Sequence, residues 1–559
     1  MRYRIFTFSC FLALAIQAQV TNSGTPKSWD NARELSVLKP IDLGVVNITV
    51  LKKQDKKKRF GKNRPLRIGV AKKVNYNPEN AGVWTILPNG DRIWRIGFHS
   101  KDAIHLSVNF SKFIIPENAS LYLYNDAKTD LLGAYTNLNN SQTGLGTWFV
   151  MGDKLWLEYY EPATVKGKGV LEISRVIHGY RLGNAFQKGY NDKAALSINS
   201  SGDCNYDVDC DIGNDFLAHK DVLKNAVGYL NMGDGYICTG TLINNTAQDK
   251  TPYFITAEHC IEREDDEDPA NPSLFNMRFK WISPNPVCAQ TTNSTNSTGN
   301  FSLNGATVVA KNVGSDALLL KANNNIDPSW DVNFAGWDRS DTNPDYAVSI
   351  HHPDGDIMKI SRDNDGPVKS SGFTVTGWLI GGVSEGTGKG WEIGVTELGS
   401  SGAALFNQNG HIIGQLSGGN AACVGLNDND DYDLFGRFAT AWNGTSSGER
   451  LKDWLDPVNS GVTTLNTLSN TLAVDEFINE KNISVFPNPV STVLEVTSEN
   501  FLGDLYYLIY NQLGQEMMGK KFLENGKIPV AHLPEGLYFV KIGDDTSGNY
   551  MVKKIIIQK

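Results

Sequence analysis

Long basic stripes are missing from this chain of 559 residues, whose formal net charge is −9. A surface of that sign offers no electrostatic footprint for a phosphate backbone, so nucleic acid is excluded as the expected partner. Beyond the N-terminal segment, no apolar run approaches the length needed to span a bilayer. No Cys-x-x-Cys pair occurs, which argues against structural zinc, and neither a metal nor an organic cofactor is expected. Long helical periodicity is scarce and no internal repeat is visible. Cysteine is absent from residues 20–203 and again after Cys423, so whatever needs oxidised cross-links is confined between those limits.

Short alternating apolar runs fill the chain instead, as in Lys154-Leu155-Trp156-Leu157-Glu158-Tyr159-Tyr160. This period-two pattern reads as mostly β structure. Pro88-Asn89-Gly90-Asp91 between two such runs predicts a hairpin turn. The basic run Lys52 to Arg59 reads as a solvated loop. Met1-Arg2-Tyr3-Arg4, the apolar stretch Ile5 to Ile16 and a small residue near Ala18 or Gln19 have the layout of a secretory signal. A buried N-terminal strand is the plainer alternative. Cys10 would leave with the signal, and six cysteines would remain: Cys204, Cys210, Cys238, Cys260, Cys288 and Cys423. An even number in an exported chain implies three disulfides, with about 15 pairings open.

The organisation expected is a signal over 1–19, a β-rich propeptide over 20–193 and a cysteine-bearing unit over 194–461. A polar linker over 462–482 and a compact β block over 483–559 follow. A short helix is expected within Gly448 to Leu455.

Within the cysteine-bearing unit, His259 ends the apolar run Tyr253-Phe254-Ile255-Thr256-Ala257-Glu258, and Asp316 opens Ala317-Leu318-Leu319-Leu320. Ser401 sits in Gly399-Ser400-Ser401-Gly402. Each fragment alone has a bland reading, a strand end, a strand cap or a loop. Together, in the order His, Asp, Ser, they are the parts of an acyl-transfer engine. Ser401 is the candidate nucleophile, His259 the general base and Asp316 the group that orients the imidazole. The backbone N–H groups of Gly399 and Ser401 are candidates for an oxyanion hole. His351 and His352 are rival bases, read as structural.

These residues sit in a wider resemblance. Tyr236-Ile237-Cys238-Thr239-Gly240-Thr241-Leu242-Ile243 with Tyr253 to Cys260 resembles the trypsin-fold signature around the general base. Cys204-Asn205-Tyr206-Asp207-Val208-Asp209-Cys210, Phe334-Ala335-Gly336-Trp337-Asp338-Arg339, His351-His352-Pro353, Gly394 to Gly402 and Trp454-Leu455-Asp456-Pro457 resemble the lysyl endopeptidases. The resemblance implies a trypsin-like double antiparallel β-barrel and the triad His259, Asp316 and Ser401. It also implies the disulfides Cys204–Cys423, Cys210–Cys288 and Cys238–Cys260. Asp433 matches the carboxylate that such enzymes place at the base of the pocket for the substrate's lysine. The rest of the acidic run from Asn427 reads as a solvated loop or a weak calcium site. Ser417-Gly418-Gly419 is the edge expected to pair with the substrate backbone. Ser417 stands where relatives can carry a histidine stacked on the tryptophan that matches Trp378.

Ser400 stands where trypsin has the aspartate that pairs with a freed N-terminus, so propeptide release is the simpler switch. Ala403-Ala404 replaces the usual Gly/Ser-Pro. Lys193 or Lys188 is a plausible self-cleavage point. The block 483–559, with Phe486-Pro487-Asn488-Pro489, Ile509-Tyr510-Asn511-Gln512-Leu513-Gly514 and Gly536-Leu537-Tyr538-Phe539-Val540, resembles a small β-sandwich sorting domain of the type IX secretion system. A carbohydrate-binding or adhesion sandwich is the alternative. The expectation is therefore a secreted or surface-attached monomer, exported across the outer membrane, with protein or peptide substrates and the secretion machinery as partners. Its activity would be serine endopeptidase cleavage after lysine. Mixed Arg/Lys preference and an inactive, adhesive relative remain as alternatives.

Overall fold

The computed structural model describes residues 24–30, 38–58, 64–181, 199–262, 269–295, 301–371, 375–381, 388–470, 483–498, 505–512, 514–544 and 550–559. The signal segment, Lys188 and Lys193 lie outside these residues. Among the described residues, no helix is long and apolar enough to cross a membrane.

The N-terminal region is a β-sandwich. One sheet runs Ile41–Asp42, Arg92–His99, Lys154–Glu161, Ser120–Asn125 and Leu131–Tyr135, with Val83–Ile86 added on Arg92–His99. The facing sheet runs Val150–Met151, His105–Ile114, Val170–Gly179 and Gly69–Tyr76. Alternation along these strands places Ile96, Phe98, Leu121, Leu123, Leu155 and Leu157 in one core, as period-two burial requires. The Pro88–Asp91 turn forms as expected: Leu87 N–H donates to Asp91 O, and Gly90 takes φ +87°. The basic run differs from expectation. Ile48–Lys58 is a helix, held where Asp55 meets Arg67, Tyr180 and Arg181. Its sequence carries no apolar stripe, so only these distant partners show that it forms.

The next unit consists of two antiparallel sheets in the trypsin-like arrangement. The first runs Phe301–Asn304, Asn276–Phe279, Val227–Asn231, Tyr236–Ile243, Tyr253–Ala257, Ala317–Ala322 and Ala306–Asn312. Leu66–Arg67, from the N-terminal region, adds to its Tyr236–Ile243 strand. The second sheet runs Tyr206–Asp207, Lys359–Asp363, Ala347–His351, Ala404–Asn407, Ile412–Gly419, Asp433–Arg437, Gly377–Ile380 and Val368–Ser370. Three disulfides join Cys204 to Cys423, Cys210 to Cys288 and Cys238 to Cys260, the pairing the resemblance implied. The expected helix near the end is short, Lys452–Leu455.

The sandwich and the two-sheet unit are not separately cored. Leu66, Ile68 and Trp148 pack in one cluster with Tyr229, Ile237, Trp281 and Ile357. Asn109 Nδ2 donates to Gly233 O at 2.6 Å, and Asn304 Nδ2 to Gly146 O at 3.0 Å. Residues after 461 also stay with this unit: Thr464–Leu465 pairs with Trp337–Asp338, and Leu468 exchanges backbone bonds with Phe334. The compact unit ends at Asn470.

The C-terminal block is a second unit. Its sheets run Ile483–Phe486, Val493–Ser498, Lys527–Pro529 and Glu516–Phe522, Leu505–Asn511, Gly536–Asp544, Tyr550–Ile557. Leu494, Ile509, Ile528, Val540, Ile542 and Ile555 fill the core between them.

Candidate active site

Strand register brings His259 and Asp316 together. Tyr253–Ala257 pairs antiparallel with Ala317–Ala322, Ala257 opposite Ala317, so the residues just beyond these partners meet at one end of the sheet. Asp316 closes a tight turn at φ +53°, a conformation that a short polar side chain tolerates better than most. Its backbone O accepts from Glu258 N–H at 2.9 Å. Its carboxylate takes both His259 donors, the backbone N–H on Oδ1 at 2.9 Å and Nδ1 on Oδ2 at 2.7 Å. That geometry fixes the tautomer, with the proton on Nδ1 and Nε2 as the ring's acceptor. His259 Nε2 is buried and has no hydrogen-bond partner among the described residues.

Ser401 comes from the second sheet, just before Ala404–Asn407. Gly399 and Gly402 take φ +98° and +83°. A Cβ at Gly402 would lie 2.1 Å from Thr256 Oγ1, so the loop approaches the histidine-bearing strand more closely than any side chain allows. Two threonines close that approach. Thr239 N–H donates to Ser401 O at 2.9 Å, Thr239 Oγ1 to Gly399 O at 2.9 Å, and Thr256 Oγ1 to Thr239 O at 2.7 Å. Cys260 Sγ lies 3.9 Å from Ser401 O, so the Ser401 loop packs against the residue that follows His259. On the other side, Gln415 Nε2 donates to Ser315 O at 2.7 Å, which ties the Asp316 turn to the second sheet. The Ser401 hydroxyl itself donates to Arg64 O at 3.3 Å, not to the imidazole.

Asp433 opens the Asp433–Arg437 strand and is 1% exposed. Trp391 Nε1 and Thr396 Oγ1 both donate to Oδ2 at 2.7 Å. A Cβ on Gly419 would lie 2.0 Å from Oδ1, so only glycine fits beside the carboxylate. Burial pushes the Asp433 carboxyl up to about 7, against the hydrogen bonds that pull it down. No cation pairs with it among the described residues. The rest of the run from Asn427 to Tyr432 stays at or near the surface, as a loop around the Cys423–Val424 and Asn427–Asp428 hairpin.

The remaining expected positions fall as follows. Ser417 is buried at a bulge between Leu416 and Gly418, with Gly418 opposite Leu434 and Gly419 opposite Asp433. Trp378 is buried, and its indole N–H donates to Ile413 O at 2.9 Å, four residues before Ser417 along the strand. Arg437 and Lys369 lie over its ring at 5.7 and 5.8 Å. The rival histidines are buried in structural roles. His351 Nδ1 meets Ser400 Oγ and its Nε2 meets Ser361 Oγ, while His352 Nδ1 meets Asp356 O. Burial pushes them down to about 3 and about 4, so both stay neutral. Cys238, His259 and Cys260 bring ligand-type atoms together, but the disulfide consumes both sulfurs and leaves no thiolate for a metal. Thr239, Thr256, Trp391, Thr396 and Gln415 were not legible as site residues. Each acts through hydrogen bonding to a residue more than fifteen positions away, and no local motif marks such a bond.

Comparison with known proteins agrees with this arrangement. Residues 198–436 match the family described as lysyl endopeptidase, C-terminal domain, and residues 484–558 match the secretion system C-terminal sorting domain. A lysyl endopeptidase of Pseudomonas aeruginosa is 29% identical over 275 residues, 48% of this chain and 55% of the relative. The chain thus spans about half the length of the curated relative it matches. Among solved structures, a serine endoprotease from Yersinia pestis overlaps with a TM-score of 0.25 at 13% identity, covering 62% of this chain and all of that one. Rv3671c of Mycobacterium tuberculosis, in an inactive form, overlaps at 0.24 and 14% identity, covering 40% of this chain and 85% of that one. Overlaps this low do not bear on function.

Proposed function

We propose that this chain is a serine endopeptidase that cleaves on the carboxyl side of lysine, made as a proenzyme and exported through a type IX route. The reading rests above all on the His259–Asp316 pair, with Nδ1 committed to the carboxylate at 2.7 Å, Nε2 without a hydrogen-bond partner among the described residues, and the adjoining Cys260 Sγ 3.9 Å from Ser401 O. Residues 20–193 act as propeptide and 483–559 as the sorting domain, while the catalytic unit expected over 194–461 extends to Asn470, which shortens the expected linker 462–482 to 471–482.

The chemistry follows from the side chains. Ser401 Oγ attacks the scissile carbonyl while His259 Nε2 takes its proton, and Asp316 stabilises the imidazolium that forms. The oxyanion is received by the N–H groups of Gly399 and Ser401, each such donor contributing roughly 3–4 kcal/mol to the lowered barrier. The proton passes to the leaving amine, and water then releases the acyl group from Ser401. Asp433 selects the residue on the acyl side. A buried carboxylate supported only by neutral donors gains most from a cation that reaches it, and a lysine side chain brings one. Gly418 and Gly419 offer backbone groups to the substrate as an added strand.

A fluorophosphonate probe should label mature protein at Ser401 and leave the Ser401→Ala variant unlabelled. Digestion of a peptide library, read by mass spectrometry, should show cuts after lysine. Equal cutting after arginine would replace the narrow specificity with a mixed one, and an unlabelled wild type would leave an adhesive protein. Truncation at Leu472 should hold the enzyme in the periplasm.

A further inference from the structure

Leu66–Arg67 lies antiparallel on the strand that leads into the site, Leu66 opposite Ile237 and Arg67 opposite Tyr236. Ile68 and Gly69 extend the contact, both N–H groups donating to Gly235 O at 2.8 and 3.0 Å. Ile237 precedes Cys238, whose disulfide partner Cys260 follows His259, so a strand added here is delivered to the catalytic crevice. Two residues upstream of Leu66, the Arg64 carbonyl O is the group that Ser401 Oγ touches, at 3.3 Å. The chain therefore crosses the nucleophile in a defined sense, with Arg64 on the acyl side and Pro65 on the amine side.

The segment is anchored downstream of that point. Leu66 is 2% exposed, in the core it shares with Tyr229 and Ile237. Arg67 is clamped by Asp55, with Nε on Oδ1 at 2.9 Å and Nη2 on Oδ1 at 2.7 Å, and its Nε also donates to Tyr180 Oη at 3.0 Å. A bond presented this firmly to a nucleophile should be cut, yet the nitrogen that must leave belongs to proline. It bears a ring carbon in place of hydrogen, and that ring crowds the side from which the imidazole must protonate it.

We propose that Arg64–Gly69 is a built-in substrate mimic that occupies the catalytic crevice of the uncut chain, with Pro65 as the residue that keeps the Arg64–Pro65 bond intact. The proposal rests on the endopeptidase reading and adds the identity of the occupying segment and the reason it survives. Replacing Pro65 by an ordinary residue turns the mimic into a substrate. Ser401 Oγ then adds to the Arg64 carbonyl carbon, and His259 moves the hydroxyl proton to the residue-65 nitrogen as that bond breaks. Water hydrolyses the resulting ester, leaving a carboxylate on Arg64 and a free amine on residue 65.

The test uses the full chain as wild type, Arg64→Lys, Pro65→Ala, Arg64→Lys/Pro65→Ala and Pro65→Ala/Ser401→Ala, followed by intact mass and N-terminal sequencing. Pro65→Ala, alone and together with Arg64→Lys to meet the lysine preference, should expose a new N-terminus at residue 65 about 100-fold faster than the same chain with proline there, since correct placement of a reacting bond commonly decides that much. The rate should not depend on protein concentration, and Pro65→Ala/Ser401→Ala should stay whole. An Arg64→Lys/Pro65→Ala chain that remains intact at this bond, while its matured form labels with fluorophosphonate and cuts lysyl peptides, would overturn the proposal. Mature protein that neither labels nor cuts would instead remove the endopeptidase reading and the proposal with it. Arg67→Ala gives a second readout that needs no cut. Freed of its Asp55 clamp, the segment should yield the site more often, and the uncut chain should label at Ser401 about tenfold faster than wild type. An unchanged labelling rate counts against occupancy.

Discussion

Asp207 and Asp433 lie in the same sheet at 0% and 1% exposure, and the fold treats them in opposite ways. Asp207 receives Lys359 Nζ at 2.5 Å, Ser294 Oγ at 2.7 Å and the Val287 N–H at 2.7 Å. Lys359 also faces Asp356 at 3.7 Å. Asp433 receives neutral donors alone among the described residues, Trp391 and Thr396 on Oδ2 and the Ala421 backbone N–H. A buried charge with its own counterion is part of the scaffold. A buried charge without one keeps its electrostatic cost until something else supplies the cation, which is how a pocket comes to prefer a charged guest.

The comparison breaks first at Asp433. Asp433→Asn should lower kcat/KM for lysyl peptides by about a thousandfold, the usual cost of removing one member of a desolvated pair, while leaving the fold intact. Peptide hydrolysis and thermal melting on the same preparation would read both. Lys359→Met should do the reverse. Leaving Asp207 and Asp356 buried without their cation should cost about 3–5 kcal/mol of stability, measured by denaturant titration, with substrate preference unchanged. Loss of lysine preference in Lys359→Met would erase the distinction between the two sites.

Acidity gives a finer test. The Asp433 carboxyl is raised in the folded chain to about 7 from its ordinary 3.8. A raised acid favours folding in its protonated form, so this group's contribution to stability is fully present below pH 4 and lost as pH rises through about 7. Binding of a lysine side chain needs the ionised form, so kcat/KM for lysyl peptides should fall as pH drops through the same range. Asp433→Asn should remove that part of both profiles. The smallest expected effect is Trp391→Phe, which removes one donor from Oδ2. The carboxyl should rise further, and the acid limb of the lysyl-peptide profile should move to higher pH, with stability lowered by about 1 kcal/mol.

What the sequence disclosed, and what it hid, follows from how far each signal reaches. The candidate triad was legible as a set of local patterns, a strand end at His259, a strand start at Asp316 and glycines around Ser401, of which the structure joins His259 to Asp316 and puts the Ser401 hydroxyl on Arg64 O. Asp433 was legible only through a family resemblance, since an acidic run looks like solvent-facing loop until Trp391 and Thr396 are seen closing over one of its members. The helix Ile48–Lys58 was missed because a run of lysines carries no apolar stripe, and its anchors are distant: Asp55 finds Arg67, Tyr180 and Arg181, while Leu51 O and Gln54 Oε1 also accept from Arg67. Nothing in Arg64-Pro65-Leu66 marks it as a segment that will cross the nucleophile. That fact exists only in the contact of Ser401 Oγ with Arg64 O and in the pairing of Leu66 with Ile237.

The apolar core shared by the N-terminal sandwich and the two-sheet unit bears on the order of events after export. Tyr229, Ile237, Trp281 and Ile357 are sealed by side chains from a domain that a single cut downstream would not detach. Nicking should therefore yield a two-piece complex that stays latent. Working enzyme would emerge only when the severed piece is itself dismantled, and the delay before activity would be set by the lifetime of the discarded half.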